Sequence, residues 1–465
     1  MGCALMSGLA PARKLALKAL VEANQTGSYV RDILSEPSFA AVDERDHAFA
    51  MRLALGVTAT SGCLDELLDC FIARPKKMTF RCRTALRIAA FELVYLGTDA
   101  HIAVSQGVEA VRSVARGATG LANAVLHRVA KHGCEYLSGD FCDFDSSCTK
   151  KMVSDARRSG MPVWLFARVH DSLTSVGDQL PLASALEPAP VWVHSFDDAV
   201  TGSLAQEFCG CWGPVNAFDL RRFAESGGDY VVSDRMAQLI ACSSVRPGSY
   251  LEIGSGRGTK TFMVASHARH VGVLRSHVAI ELCEHKCELN RARLSSAGFN
   301  DVRVVVGDGT NLEGTFKSAD IDPHQTFDTV FVDAPCSGTG TMRRHPEIPW
   351  RLSPQDVDVA LPALQLSMLT EASMHVGPGG ELIYATCSVL MVEDLDVVNA
   401  FLASKAGSDF ELAPVSGAWI FNQYDYASAR ACALRFELGC GCILSVPHER
   451  GDGDGHFCAR LVRAR

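Results

Sequence analysis

After Tyr230, short apolar runs alternate with helical stretches, and this alternation constrains the fold more than any other feature of the chain. The runs are 250–253 (YLEI), 277–282 (HVAIEL), 302–306 (VRVVV), 327–332 (FDTVFV) and 380–385 (GELIYA). Each is followed by Gly, Asp or a small polar residue. Runs this short and this apolar are the signature of parallel strands buried on both faces and joined by helices. Ser353-Pro354-Gln355-Asp356 supplies an N-cap, a proline at the first helical position and an acid two residues later, so 354–374 is read as a crossover helix. Two further strand-like pieces, 431–438 and 457–462, are expected to close the sheet at its far edge. Residues 229–465 therefore read as a doubly wound, Rossmann-like α/β domain.

The first part of the chain has a different period. In 81–97, Leu86, Ala89, Ala90 and Leu93 recur at helical spacing. Residues 11–35 and 104–130 show similar helical stripes, and nothing before residue 130 alternates like a strand. Residues 1–140 are expected to form a small all-α domain. Residues 133–150 are polar and read as a linker. The stretch 141–228 as a whole reads as a small α+β connecting module.

Composition limits the partners. The formal charge of the 465-residue chain is −9, distributed as about +3 over residues 1–130 and −12 over the rest. A surface that wraps nucleic acid over its whole area is excluded, but a local basic cleft is not. The 18 cysteines are scattered, with no Cys-x-x-Cys pair. A reduced, cytoplasmic, monomeric protein without a structural metal is expected. The N-terminus does not read as a secretory signal, and no apolar run is long enough to span a membrane.

The first strand of the α/β part leads directly into Gly254-Ser255-Gly256-Arg257-Gly258-Thr259-Lys260. Glycines at alternate positions permit positive φ and close backbone approach, and the following helix offers free amides. A phosphate loop is excluded, because Lys260 follows Thr259 rather than the glycine that a Gly-Lys-Ser/Thr ending requires. Glu281 ends the second strand, where a carboxylate can accept both hydroxyls of a ribose, and Asp308 follows the third. An adenosine cofactor fits these positions, and NAD and S-adenosylmethionine both qualify.

Two cysteines narrow the chemistry. Asp333-Ala334-Pro335-Cys336 follows the fourth strand and Ala385-Thr386-Cys387-Ser388 the fifth, so both thiols fall at the carboxyl edge of the sheet, where open α/β folds bind ligands. Cytosine C5 is a poor nucleophile until a thiolate adds across C6. One cysteine could form that adduct and the other assist its resolution, with Asp333 stabilising the ring as charge builds. Hydride transfer has no use for such a pair. The cations of Arg343-Arg344-His345-Pro346-Glu347-Ile348-Pro349-Trp350-Arg351 are placed to meet phosphates. Trp350 is read equally as a base-packing residue or as core.

These stretches carry a resemblance. DAPCSGTG at 333–340, RRHPEIPW at 343–350 and ATCS at 385–388 resemble the catalytic domain of the NOL1/NOP2/Sun family of RNA 5-methylcytosine methyltransferases. ALRIAAFELVYL at 85–96, AVSQGVEAVR at 103–112 and LANAVLHRVA at 121–130 resemble a NusB-type RNA-binding domain. The combination implies methylation of a small-subunit ribosomal RNA cytosine at C5 with S-adenosylmethionine as donor. By this resemblance Cys387 is the nucleophile, Cys336 acts in product release, and Asp333 and Lys260 line the reaction centre. Gly254 to Lys260, Glu281, Asp308 and Asp333 hold the cofactor. The chain departs from the family pattern at Arg257, where proline is usual, at Glu281, where aspartate is usual, and at Glu393-Asp394-Leu395 in place of Glu-Asn-Glu. The competing readings are an NAD-dependent oxidoreductase, a non-catalytic RNA-binding assembly factor, and the same chemistry on another ribosomal or transfer RNA.

Overall fold

The computed structural model describes residues 8–36, 38–39, 42–142, 148–178, 186–202, 204–273, 276–447 and 453–465. The chain packs as two compact units. One comprises Met1–Arg168, Leu182–Glu187 and Met342–Arg351; the other comprises Val169–Pro181, Pro188–Thr341 and Leu352–Arg465. The stretch expected to be a single connecting module is thus divided between them. No helix among the described residues is long and apolar enough to cross a membrane.

The first unit is helical, with Pro11–Thr26, Glu44–Ala59, Ser61–Asp69, Phe80–Val94, Ala100–Val114, Thr119–Leu137 and Lys150–Ser159 as its main elements. The helix expected over 11–35 breaks in two, because Gly27 takes a left-handed φ of 73° and closes the first helix before Val30–Ser35 begins. Side-chain caps set other starts: Asp43, Thr79, Asp99 and Thr149 each accept from a backbone amide of the first turn. The linker read over 133–150 is helical as far as Leu137, and 143–147 lie outside the described residues.

Buried charges pin this unit together. Glu92, 1% exposed, receives both Arg13 Nε at 2.9 Å and Arg13 Nη2 at 2.6 Å. Arg157, equally buried, donates to the carbonyls of Tyr136 and Phe141 at 3.0 Å, pairs with Glu66, and lies 4.1 Å from the Tyr136 ring centroid. A buried cation with this many partners is tolerated, whereas removing one partner would strand a charge. Cys70 and Cys142, 72 residues apart, are brought side by side where Phe71 and His132 stack on Phe141. Their approach follows from Thr119–Leu137 folding back along Ser61–Asp69, which spacing in sequence does not reveal.

Trp350 belongs to this unit, which decides between its two readings. Its Nε1 donates to the Ala59 carbonyl at 2.6 Å, and its ring lies so close to Gly62 that a Cβ there would stand 1.9 Å from Cζ3. Tryptophan is thus a packing residue here, and the glycine makes room for it.

The second unit is built on two sheets. The smaller contains β1 (Val191–His194), β2 (Gln206–Phe208), β3 (Cys211–Val215) and β4 (Val231–Val232) in the order β2-β3-β1-β4. The larger contains β5 (Tyr250–Ile253), β6 (His277–Glu281), β7 (Val302–Val306), β8 (Phe327–Asp333), β9 (Val376–Thr386), β10 (Phe410–Ala413), β11 (Ile443–Ser445) and β12 (His456–Arg463). Its order is β10-β12-β9-β8-β5-β6-β7, with β11 paired to β12. The strands β5 to β9 run parallel and β12 runs antiparallel to β9. All five strands expected between 250 and 385 are present. The chain winds outward from β5 to β7, then returns to the other side of β5 at β8. The topological switch therefore lies between β5 and β8.

Two details differ from the sequence reading. The crossover opens with a π-helical turn at Asp356–Ala360 before the α-helix Leu361–Ser373, and Ser353 and Asp356 cap it reciprocally. Residues 431–438, read as a strand, lie mostly in the helix Ala427–Phe436. Its alanines 429 and 433, one turn apart, are fully buried and let the helix pack closely. The last strand pairs with β11 instead.

Trp350→Ala should loosen the first unit by about 2–3 kcal/mol, since it removes a large packed ring and a hydrogen bond. Faster amide exchange in Glu44–Ala59 and Ser61–Asp69 would show it. Unchanged exchange would mean that the tryptophan is not a packing anchor.

Candidate active site

The turn after β5 is shaped by three glycines with positive φ: Gly254 at 83°, Gly256 at 58° and Gly258 at 79°. The outer two are required by contact. A Cβ on Gly254 would lie 2.3 Å from the Asp333 carbonyl oxygen of β8, and one on Gly258 would lie 2.0 Å from Asn290 Oδ1. Gly256 has open space instead, with no atom nearer than 4.0 Å. The middle of the turn is thus free to take a ligand against bare backbone. Gly258 caps the helix Thr259–His270.

Glu281, at the end of β6 and 8% exposed, is aimed at this turn. One oxygen accepts from Gly256 N at 3.0 Å, the other from Cys283 N at 3.0 Å, and Lys286 Nζ stands 3.6 Å away. A carboxylate so held keeps lone pairs for two ribose hydroxyls. Ser255 is buried and accepts from Asn290 Nδ2 at 3.3 Å. Arg257 is exposed, and its carbonyl and the Thr259 hydroxyl are both held by Arg293. Asp308 lies exposed just beyond β7, where one oxygen accepts from the amide and hydroxyl of Thr310. The features an adenosine cofactor would use are an open glycine turn, a helix start and a carboxylate placed for a ribose.

The two thiols meet. Adjacent strands β8 and β9 carry Cys336 and Cys387 to the same edge, and their sulfurs are 3.2 Å apart. The Cys387 amide also donates to Cys336 Sγ at 3.3 Å. The hydrogen bond from the Cys336 thiol lowers the Cys387 pKa; burial and Asp333 oppose this, and Lys260 reinforces it. The same shared proton, with burial and the Glu393 carboxylate, holds Cys336 well above an ordinary thiol. The pair is thus polarised, with Cys387 the more acidic thiol.

Lys260 Nζ, from the second residue of its helix, donates to Asp333 Oδ2 at 2.7 Å. Burial disfavours the ammonium, but Asp333 outweighs it and keeps the lysine charged. The sequence thus brings Lys260, Asp333, Cys336 and Cys387 together, with the glycine turn and Glu281 at adjoining strand ends.

Sequence reading left two supporting residues without a role. Glu393, fully buried, accepts from Ser337 N at 2.8 Å and from Gln365 Nε2 at 3.0 Å, while the same Gln365 amide donates to the Pro335 carbonyl at 2.9 Å. Together they clamp the residues on either side of Cys336. Burial pushes the Glu393 pKa up, although its amide donors favour the carboxylate. A polar Gln365 on the buried side of an apolar helix was the available signal. The cationic stretch Met342–Arg351 belongs to the other compact unit.

Comparison with known proteins gives this geometry a family. Residues 245–462 match the family described as 16S rRNA methyltransferase RsmB/F, and residues 10–131 match the NusB family. Ribosomal RNA small subunit methyltransferase B of Salmonella dublin is 30% identical over 415 residues, spanning 84% of this chain and 89% of that protein. The Klebsiella pneumoniae protein of the same name is 28% identical over 420 residues, with the same coverage. In fold, the chain is similar to the crystal structure of PH0851, with a TM-score of 0.72 at 17% identity, covering 98% of this chain and 99% of that one. With a NusB helical domain leading a methyltransferase domain, and with that likeness extending over most of its length, the chain belongs to the ribosomal RNA small subunit methyltransferase B family.

Proposed function

We propose that this protein transfers a methyl group from S-adenosylmethionine to C5 of a cytosine in small-subunit, 16S ribosomal RNA. The observation that carries the reading is the polarised thiol pair, Cys387 beside Cys336 at 3.2 Å, standing at the strand ends that also bear Lys260–Asp333 and the glycine turn. When bound along Gly254 to Lys260 with Glu281 on its ribose, and with Asp308 and Asp333 beside it, the cofactor supplies an electrophilic methyl group. The chain's own residues supply the rest. The Cys387 thiolate bonds to cytosine C6, and the displaced π electrons make C5 nucleophilic. Asp333, paired with Lys260, is the carboxylate available to the ring nitrogens as charge develops. After methylation, a base from the surrounding water takes the C5 proton, the C5–H electrons re-form the C5–C6 double bond, the C6–S bond breaks, and Cys387 returns as thiolate. Cys336 assists this release.

Labelled methyl transfer to unmethylated small-subunit RNA, mapped to the nucleotide, tests the reading: one 5-methylcytosine is expected. Transfer only to tRNA would keep the chemistry and replace the substrate. Cofactor binding without transfer to any RNA would favour an assembly factor.

The two cysteines should fail differently. Cys387→Ala should abolish both transfer and RNA adduct. Cys336→Ala should lower turnover by roughly 10²-fold or more and accumulate a covalent protein–RNA species that survives denaturing gels. Normal turnover in both would remove the two-thiol mechanism.

A pH series distinguishes the polarised pair from two ordinary thiols. Because the Cys387 pKa is depressed below 9.0, the reactive thiolate is populated above that lowered value and lost as pH falls through it. Single-turnover adduct formation should therefore have its midpoint below pH 9. In Cys336→Ala, which removes the proton donor, the midpoint should move upward. An identical midpoint in the variant would show that Cys336 does not tune Cys387.

A further inference from the structure

The first unit contains a cavity of about 210 Å³ that the catalytic residues do not explain. Tyr29, Phe80, Arg87, Asn24, Glu347 and Arg351 are among the residues around it. Its volume falls below the roughly 300–1,000 Å³ of pockets that enclose drug-sized ligands, and suits one heteroaromatic ring system. Two aromatic rings at its rim are uncovered, Tyr29 at 41% and Phe80 at 37% exposure. The Arg351 guanidinium carbon lies 5.3 Å from the Tyr29 ring centroid, and His345 stands 5.9 Å from the same ring. Arg87 is held by Asp65, so the exposed positive charge at the rim is that of Arg351.

We propose that this pocket takes a single unstacked base of the substrate RNA, a guanine, at a nucleotide other than the methylated cytosine. The proposal rests on the RNA methylation reading above. Aromatic faces and an arginine plane are what proteins use to hold splayed-out bases, and a cation beside them suits the attached phosphate. The choice of guanine comes from Glu347. Burial raises its pKa, but His345 and Arg351 more than offset this and keep it ionised. An ionised carboxylate only accepts hydrogen bonds, and guanine alone among the bases presents two adjacent donors, N1–H and N2–H, to its two oxygens. Asn24 adds an amide able to meet the neighbouring O6. Glu347 and Arg351 also lie on the segment that leaves the cysteine loop, eleven and fifteen residues after Cys336. The chain itself thus ties one wall of the pocket to the catalytic loop.

The test uses the full-length protein and steady-state methylation of unmethylated small-subunit RNA. Tyr29→Ala and Arg351→Ala should each raise the KM for RNA about tenfold, leaving kcat and S-adenosylmethionine affinity unchanged. Tyr29→Phe, which keeps the ring, should restore the wild-type KM. RNA carrying 6-thioguanosine near the target should cross-link to the Tyr29 peptide in the wild type and lose that cross-link in Glu347→Gln. Unchanged KM in both alanine variants, while the wild type methylates RNA, would overturn the pocket and leave the activity standing. A KM effect seen only on partly assembled subunits and absent with free RNA would assign the cavity to a protein partner and also overturn it. Absence of methyl transfer by the wild type would overturn the underlying reading instead.

Discussion

The second unit depends on one close backbone approach. At the switch between β5 and β8, the position a Cβ would take on Gly254 is 2.3 Å from the Asp333 carbonyl oxygen. Only glycine permits the two strand ends to come so near. That nearness places the turn amides, the Lys260 helix and the Asp333 carboxylate around one crevice. The 2.7 Å Lys260–Asp333 pair spans the same gap with side chains. Widening the gap by one methyl group would separate the cofactor turn from the strand end that leads to Cys336.

Around that crevice, chemistry is set by shared protons and buried charge. Two thiols 3.2 Å apart cannot both ionise in a low-dielectric site, so the first proton to leave belongs to the pair. Lys260 favours negative charge on Cys387, whereas the neighbouring thiol and burial push Cys336 towards holding its proton. The loop bearing Cys336 is held from behind by Gln365 and Glu393, both fully buried. A thiol on a loop fixed at two backbone positions, the Pro335 carbonyl and the Ser337 amide, loses little geometry to thermal motion.

The helical unit obeys a different constraint. Its helices are joined by long-range polar clamps, Arg13–Glu92 and Arg157 with Glu66, Tyr136 and Phe141, and by a tryptophan from 291 residues further along the chain. Trp350 and its companions at Met342–Arg351 are thus part of the helical core, although they follow directly on the catalytic loop. This physical continuity is what gives the 210 Å³ cavity a wall from each part of the sequence.

By itself the sequence determined what local period and local chemistry can determine. Buried parallel strands read as short apolar runs, and the strands found at 250–253, 277–281, 302–306, 327–333 and within 376–386 match those runs. The glycine turn, Glu281, Asp333 and both cysteines are legible because they stand at strand ends, where the apolar run stops. Tertiary structure alone decided the rest. Residues 431–438 look strand-like, yet Ala427–Phe436 is a helix, because its small buried face fits against the sheet's core. Cys70 meets Cys142 and Trp350 meets Ala59 only after helices have folded back on one another. Such contacts depend on three-dimensional proximity between residues distant in the chain, and no spacing along the sequence encodes that distance.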